Sequence, residues 1–310
     1  MNNIAPRDIL ADTFIDMGKT NSNIVLVDAD FGTASKIWDF QKHFPDRYVQ
    51  VGIAEQNMMS IAAGLSTVGL IPFVSTVAVF CARRACDQVT VSIGLSNTNV
   101  KILGVYAGLF VGKNGASHQS LEDIAIMRAI ANMAVVQPAD AIETEQILRF
   151  AAEYEGPMYI RIGRDPIASF LPSDYKFQLG KSVTIKEGND VTLMTYGDLV
   201  EDTMKAAELL KSSGIDARVI NMSSIKPIDE DAIVKAAEET GKLVTIDNHN
   251  IHGGLGSAVA EVVTEKCPVR IKRLGVKNVF GKSGSNEEMK RVFGLRAEDI
   301  CKETINFMKN

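Results

Sequence analysis

Short runs that are apolar at nearly every position, NIVLVDAD, IPFVST, VKILGVY, MAVVQP and PMYIRIG, alternate through the first half of the chain with amphipathic stretches such as ILADTFIDMG and DAIETEQILRFAAEY. A strand that is apolar on both faces has to be covered on both, and helices are the usual cover. The rhythm therefore predicts an α/β fold with a mostly parallel sheet between helices. Pro138 and Asp140 stand where the helix through DAIETEQILRFAAEY would open. Between about Arg164 and Asp190 the pattern fails, and Pro166, Pro172, Ser173, Asp174, Gly188 and Asn189 mark an interdomain linker. Alternation then resumes with DVTLMTYG, a helix through LVEDTMKAAELLKSSG, ARVINMS, a helix through DEDAIVKAAEET, KLVTIDNH, a helix after GGLGS, and VRIKRLGV. The expected organisation is an α/β domain over 1–165, a linker over 166–189 and a smaller α/β domain over 190–310.

The 310 residues are 46% hydrophobic and 23% charged, the balance of a globular protein with length for two modest domains. A formal net charge of −5 with scattered Lys and Arg argues against nucleic acid or an anionic membrane as the main partner. No apolar run approaches a membrane span, and MNNIAPRDIL lacks the basic start and greasy core of a signal peptide, so a cytoplasmic location is expected. Cys81, Cys86, Cys267 and Cys301 have neither metal-ligand spacing nor a redox pair, and read as reduced structural residues.

Two segments carry chemistry. In YVQVGIAEQNMMSIAAGLSTVGL a strand ends near Gly52 and a helix begins just before Glu55, a lone acid in an apolar and small-residue run. A helix N-terminus tolerates a negative charge and offers free amides to a ligand, so Glu55 is either a ligand-facing acid or a first-turn residue that favours the helix. In GKNGASHQSLEDIAIMR two glycines around Lys113 and Asn114 permit an exposed turn, and Ser117 and His118 lead into a helix that Glu122 and Asp123 open. His118 is thereby presented from a loop above the scaffold, as a functional group or as a packing residue.

Together these segments resemble the transketolase family, specifically its C-terminal section, and the resemblance covers nearly the whole chain. GIAEQNMMSIAAGL is similar to the family's pyrimidine-end glutamate motif and GKNGASHQSLEDIAIMR to its signature loop, with departures at Lys113 and Ser120. HNIHGGLGSAVAEV and FGKSGSNEEMKRVFGL are similar to segments of the family's C-terminal domain. The resemblance implies a pyrimidine-binding domain followed by a transketolase C-terminal domain, and thiamine diphosphate as cofactor. Glu55 would hydrogen-bond N1′ of the aminopyrimidine and favour the imino tautomer that deprotonates thiazolium C2; a pocket of low polarity helps an acid share that proton. The pyrimidine stacks on aromatic residues in the family, which map onto Phe80 and, as a departure, Val77. Phe80 in STVAVF is equally compatible with a core role. Asp30 in VDADFG aligns with an acid lining the cofactor site, although Asp28 and Asp30 at a strand end also suit a turn.

On the substrate side the resemblance gives His118 acid–base and oxyanion work near the reacting carbonyl. It gives Arg7 and Arg164 the grip on a sugar phosphate, a task suited to a forked guanidinium that otherwise reads as surface charge. Arg161 either assists or caps the sheet edge. Tyr106 replaces a second family histidine ahead of His118, and Asn114 replaces an aspartate that reads the α-hydroxyl; Asn carries no charge and can donate.

The glycine–aspartate–glycine and asparagine anchor for diphosphate and Mg²⁺ is absent: Gly188-Asn189-Asp190 falls in the linker and Gly197-Asp198 opens a helix. The resemblance thus implies the pyrimidine-binding subunit of a split transketolase. Its partner would be a separate N-terminal subunit holding diphosphate and Mg²⁺, two such pairs would form a heterotetramer, and the isolated chain would be inactive. Alternatives are a 1-deoxy-xylulose-5-phosphate synthase-like protein, which DQV at Asp87–Val89 and the Arg161/Arg164 pair resemble, a 2-oxo acid dehydrogenase β-type subunit, and a non-catalytic binding protein of the same fold.

Overall fold

A computed structural model describes residues 3–309. Its strands in chain order are β1 (Asn3–Ile4), β2 (Ile24–Asp28), β3 (Tyr48–Gln50), β4 (Ile71–Val77), β5 (Lys101–Val105), β6 (Ala134–Val136), β7 (Met158–Ile162), β8 (Ile167–Ala168), β9 (Val183–Lys186), β10 (Val191–Thr195), β11 (Ala217–Asn221), β12 (Ser224–Lys226), β13 (Lys242–Asn250) and β14 (Arg270–Val276). The apolar runs account for this: β2, β5, β6, β7, β10 and β11 are buried at every residue, as strands covered on both faces must be.

A seven-stranded sheet has the order β12-β6-β7-β5-β4-β2-β3 and is parallel except where β12 joins β6. A five-stranded sheet has the order β14-β13-β10-β11-β9, with β9 alone antiparallel. From β2 the chain passes to β3 on one side and returns to β4 on the other. Connections therefore diverge beyond the carboxyl ends of β2 and β4, the place where parallel sheets open a crevice. The helix Ala141–Glu153 opens on Asp140, whose carboxylate accepts from the Glu143 amide at 2.9 Å.

The segment 166–189, expected as a linker, carries two short strands. β8 pairs with β1 in the first half, and β9 closes the edge of the second sheet on β11. β12, from the second half, completes the edge of the first sheet. Helices Asn286–Phe293, opened by a capping box of Ser285 and Glu288, and Ala297–Lys309 follow the last strand.

The two halves are tied through Arg161, which lies in the middle of the first sheet rather than at its edge and is fully buried. Its guanidinium donates to Asp123 Oδ2 at 2.8 Å, Gln137 Oε1 at 2.7 Å, the Ser120 carbonyl at 3.2 Å and the Asn248 carbonyl of β13 at 2.8 Å. Tyr159 donates to the same Asp123 oxygen at 2.7 Å. Burial works against ionisation of Asp123, but the adjoining Arg161 charge wins and holds the carboxyl below its ordinary range. Arg161→Met strands that carboxylate in the core and is expected to cost about 3–5 kcal/mol. The check is the urea unfolding midpoint, with part of the loss recovered when Asp123 is also changed to Asn.

Candidate active site

The chain leaves β3 through Gly52, whose φ of +72° suits glycine, and enters the helix Glu55–Thr67 at its first residue. Glu55 therefore sits at the helix N-terminus, where the dipole favours its charge, yet it is only 2% exposed. Both of its carboxylate oxygens lie 2.8 Å from Arg84 Nη1. Residues Phe80–Arg84 form a π-helical turn, closed by the Ala85 amide on the Phe80 carbonyl at 3.2 Å. Across that turn Arg84 Cζ lies 4.1 Å from the Phe80 ring centroid. His118 packs T-shaped against Phe80 with ring centroids 5.4 Å apart, its Nδ1 3.0 Å from Ser117 Oγ. Contacts thus run from Glu55 through Arg84 and Phe80 to His118.

His118 lies in an irregular loop ahead of the helix Asp123–Ala129, which opens at Glu122 and Asp123 as its residues suggest. The loop has its own backbone partners: the His118 amide bonds to the Gly115 carbonyl at 3.0 Å, and Ser120 bridges back to Gly108. Gly112 and Gly115 bracket Lys113 and Asn114 at φ +69° and +77°, as the turn chemistry requires. The second half of the chain holds this loop from beneath. Asn248 Oδ1 accepts from the Leu109 amide at 2.8 Å, Asn286 Oδ1 from the Gly112 amide at 3.0 Å, and Gln119 donates to the Lys282 carbonyl at 2.9 Å.

Tyr106 begins the same loop at φ +59° and contacts both arginines. Arg7, on the turn Pro6–Ile9, donates to its hydroxyl and lies with Cζ 5.2 Å from its ring; Arg164, beyond β7, lies 4.9 Å from that ring and donates to the Val111 carbonyl at 2.5 Å. Phe31 packs edge-on against Tyr106 at 5.2 Å. Asn114 is exposed and shares an open cleft with Gly112, Lys113, Arg164, Asp165 and Asn286. Val77 ends β4 and is packed in the core with Tyr106 and Val105. Asp30 is exposed at φ +58°, whereas Asp28 does the turn's work, accepting from the Phe31 amide at 2.9 Å, Tyr48 at 2.8 Å and Gln50 at 2.6 Å.

The structure therefore gathers Glu55, Phe80 and His118 into one cluster, and Arg7, Tyr106, Arg164 and Asn114 into another. Asp30 and Val77 stand at the ends of the neighbouring strands β2 and β4. Arg161 belongs to the domain tie. Arg84 escaped sequence reasoning because ARRACDQV offers two adjacent arginines, and only the π-helical turn sends Arg84 to Glu55 while Arg83 pairs with Glu122 at 3.0 Å.

Residues 2–168 match the family model for the transketolase pyrimidine-binding domain, and residues 180–300 match that for the transketolase C-terminal domain. The chain is 40% identical over 296 residues to a 6-deoxy-6-sulfo-D-fructose transketolase subunit of Clostridium sp. (strain MSTE9), covering 96% of this chain and 92% of that one. It is 39% identical over 309 residues to an apulose-4-phosphate transketolase subunit of Phocaeicola vulgatus, covering 99% of each. A solved structure described as a split-gene transketolase, inactive β4 tetramer, superimposes with a TM-score of 0.91 at 43% identity, covering 99% of both chains.

The support beneath the loop sets one expectation. A Cβ at Gly108, which has φ +73°, would stand 2.4 Å from Asn248 Nδ2, so Gly108→Val is expected to destabilise the chain by about 1–3 kcal/mol or more and to loosen the 106–120 loop. A lowered melting temperature with new protease cleavage confined to that loop is the result that checks it.

Proposed function

The chain belongs to the transketolase family, and we propose that it is the pyrimidine-binding subunit of a two-chain, thiamine-diphosphate-dependent transketolase. It would transfer a two-carbon ketol unit between sugar phosphates, together with a separate subunit that holds the diphosphate and Mg²⁺. The observation that carries this reading is the buried carboxylate of Glu55 at a helix N-terminus, linked through Arg84 to Phe80 and His118. These residues fit the pyrimidine half of the cofactor: an acid shielded from water with an aromatic ring in the same cluster. The two relatives described as transketolase subunits match this chain over nearly their whole length, which favours a split enzyme.

Thiamine diphosphate supplies the carbanion-stabilising chemistry when bound. Glu55 holds a proton at a carboxylate oxygen for sharing with the pyrimidine. Phe80 offers the ring a flat apolar partner. His118, its Nδ1 engaged by Ser117, keeps Nε2 for the sugar's reacting oxygen. Arg7 and Arg164, both braced against Tyr106, grip the terminal tetrahedral anion of the sugar. Asn114 hydrogen-bonds a hydroxyl near the reacting carbon, Asp30 and Val77 border the cofactor at the strand ends, and Tyr106 shapes the acceptor end in place of a histidine. The active assembly is a heterotetramer of two pairs, working in the cytoplasm on carbohydrate phosphates. No helix among the described residues is long and apolar enough to cross a membrane.

The test is to co-express the chain with a candidate diphosphate-binding subunit and to assay ketol transfer with thiamine diphosphate and Mg²⁺. The pair is expected to be active and the chain alone inactive; full-rate turnover by the isolated chain would exclude the two-chain reading. In the assembled pair, Glu55→Ala should lower kcat by about 10²-fold or more without disturbing assembly on size exclusion. Tyr106→His is expected to change the ranking of phosphorylated acceptors, and an unaltered kcat/KM profile removes Tyr106 from specificity.

A further inference from the structure

Glu55 and Arg84 form an unequal pair: the glutamate side chain is 2% exposed and the arginine side chain 44%. A carboxylate shut away from water is costly to leave alone, whereas a half-exposed guanidinium loses little without its partner. The pairing therefore acts chiefly on the acid. A single nitrogen, Nη1, approaches both oxygens at 2.8 Å. It uses one lone-pair direction on each and leaves the outer ones free for a second donor. The guanidinium is in turn held over Phe80, with Cζ 4.1 Å from the ring centroid. Rotation of the carboxylate would break two contacts to a group that is itself braced.

The geometry points to Arg84 as a positioning residue: it fixes the orientation of the Glu55 carboxylate, so that the oxygen lone pairs left free are the ones presented to the pyrimidine. This rests on the proposed thiamine chemistry of Glu55. The Glu55–Thr67 helix packs on β2, on β4 and on the segment 80–95. The titratable groups on those elements are Asp28 on β2, and Cys81, Arg83, Arg84, Cys86 and Asp87 on the segment. Arg83 is paired with Glu122 and Asp28 with Tyr48 and Gln50. Burial, helped by the Glu55 and Asp123 carboxylates, pushes the Cys81 thiol up, so it stays neutral beside Glu55. Arg84 is the cation within hydrogen-bond reach of the acid.

Arg84→Gln and Arg84→Lys test this in two settings. In the isolated chain, Arg84→Gln leaves the buried Glu55 side chain without its cation. The melting temperature is expected to fall, and Glu55→Gln in the same chain should recover part of that loss. In the assembled pair, Arg84→Gln is expected to lower kcat about tenfold or more, with KM for both sugars within about twofold. Arg84→Lys should restore most of the rate. A melting loss that Glu55→Gln does not relieve, or an unchanged kcat in Arg84→Gln, overturns the proposal. Failure of the thiamine reading itself would appear separately, as full activity in Glu55→Ala, while the melting experiment needs no cofactor.

Discussion

One buried guanidinium joins parts of this molecule that lie far apart in the chain. Arg161 sits within the first sheet and binds the acid that opens the Asp123–Ala129 helix, the residue after β6, the loop carbonyl of Ser120 and a carbonyl of β13. A charge taken out of water so completely is tolerable only with all these partners in place. The first sheet, the second sheet and the loop bearing His118 are therefore fixed relative to one another by a single coordination shell. The loop's Gly108, Gly112 and Gly115 permit its path, but the partners on β13 and on the Asn286–Phe293 helix hold it there.

On that frame two clusters stand beyond the carboxyl ends of the parallel strands. One is a buried acid linked through Arg84 to an aromatic ring and a histidine; the other is a tyrosine in contact with two arginines. Their separation follows from topology, since the first is fed by the β3–helix junction and the π-helical turn after β4, and the second by the strand ends of β5 and β7 and the turn before β2. A low-dielectric acid and a cationic anchor are opposite electrostatic environments, and placing them on different strands keeps the arginines from simply neutralising Glu55. Arg84 is the exception, and its position over Phe80 is what makes its contact with Glu55 specific.

Much of this was legible in the residues. Apolar runs such as VKILGVY located the buried strands, because a strand covered on both faces has no polar side to show. Asp140 ahead of a helical period located a cap, and Gly52 followed by Glu55 located a helix start. The segment 166–189 was harder: its prolines and polar residues suggested a free connection, yet β8 and β9 take partners from distant strands, which local composition does not encode. His118 was legible as a loop residue ahead of a helix opened by Glu122 and Asp123, but the bonds to Gly108 and Gly115 that shape that loop were not.

Periodicity and motif order are local properties, and from them the two α/β units and the family resemblance could be read from the residues alone. Folding in three dimensions was needed to show that Arg161 is a buried tie and not an edge residue, that Asp28 rather than Asp30 organises its turn, and that Arg84 rather than Arg83 meets Glu55. Each depends on which groups are brought together from far along the chain and sealed from water, and there the energy of a charge is set by its neighbours in space.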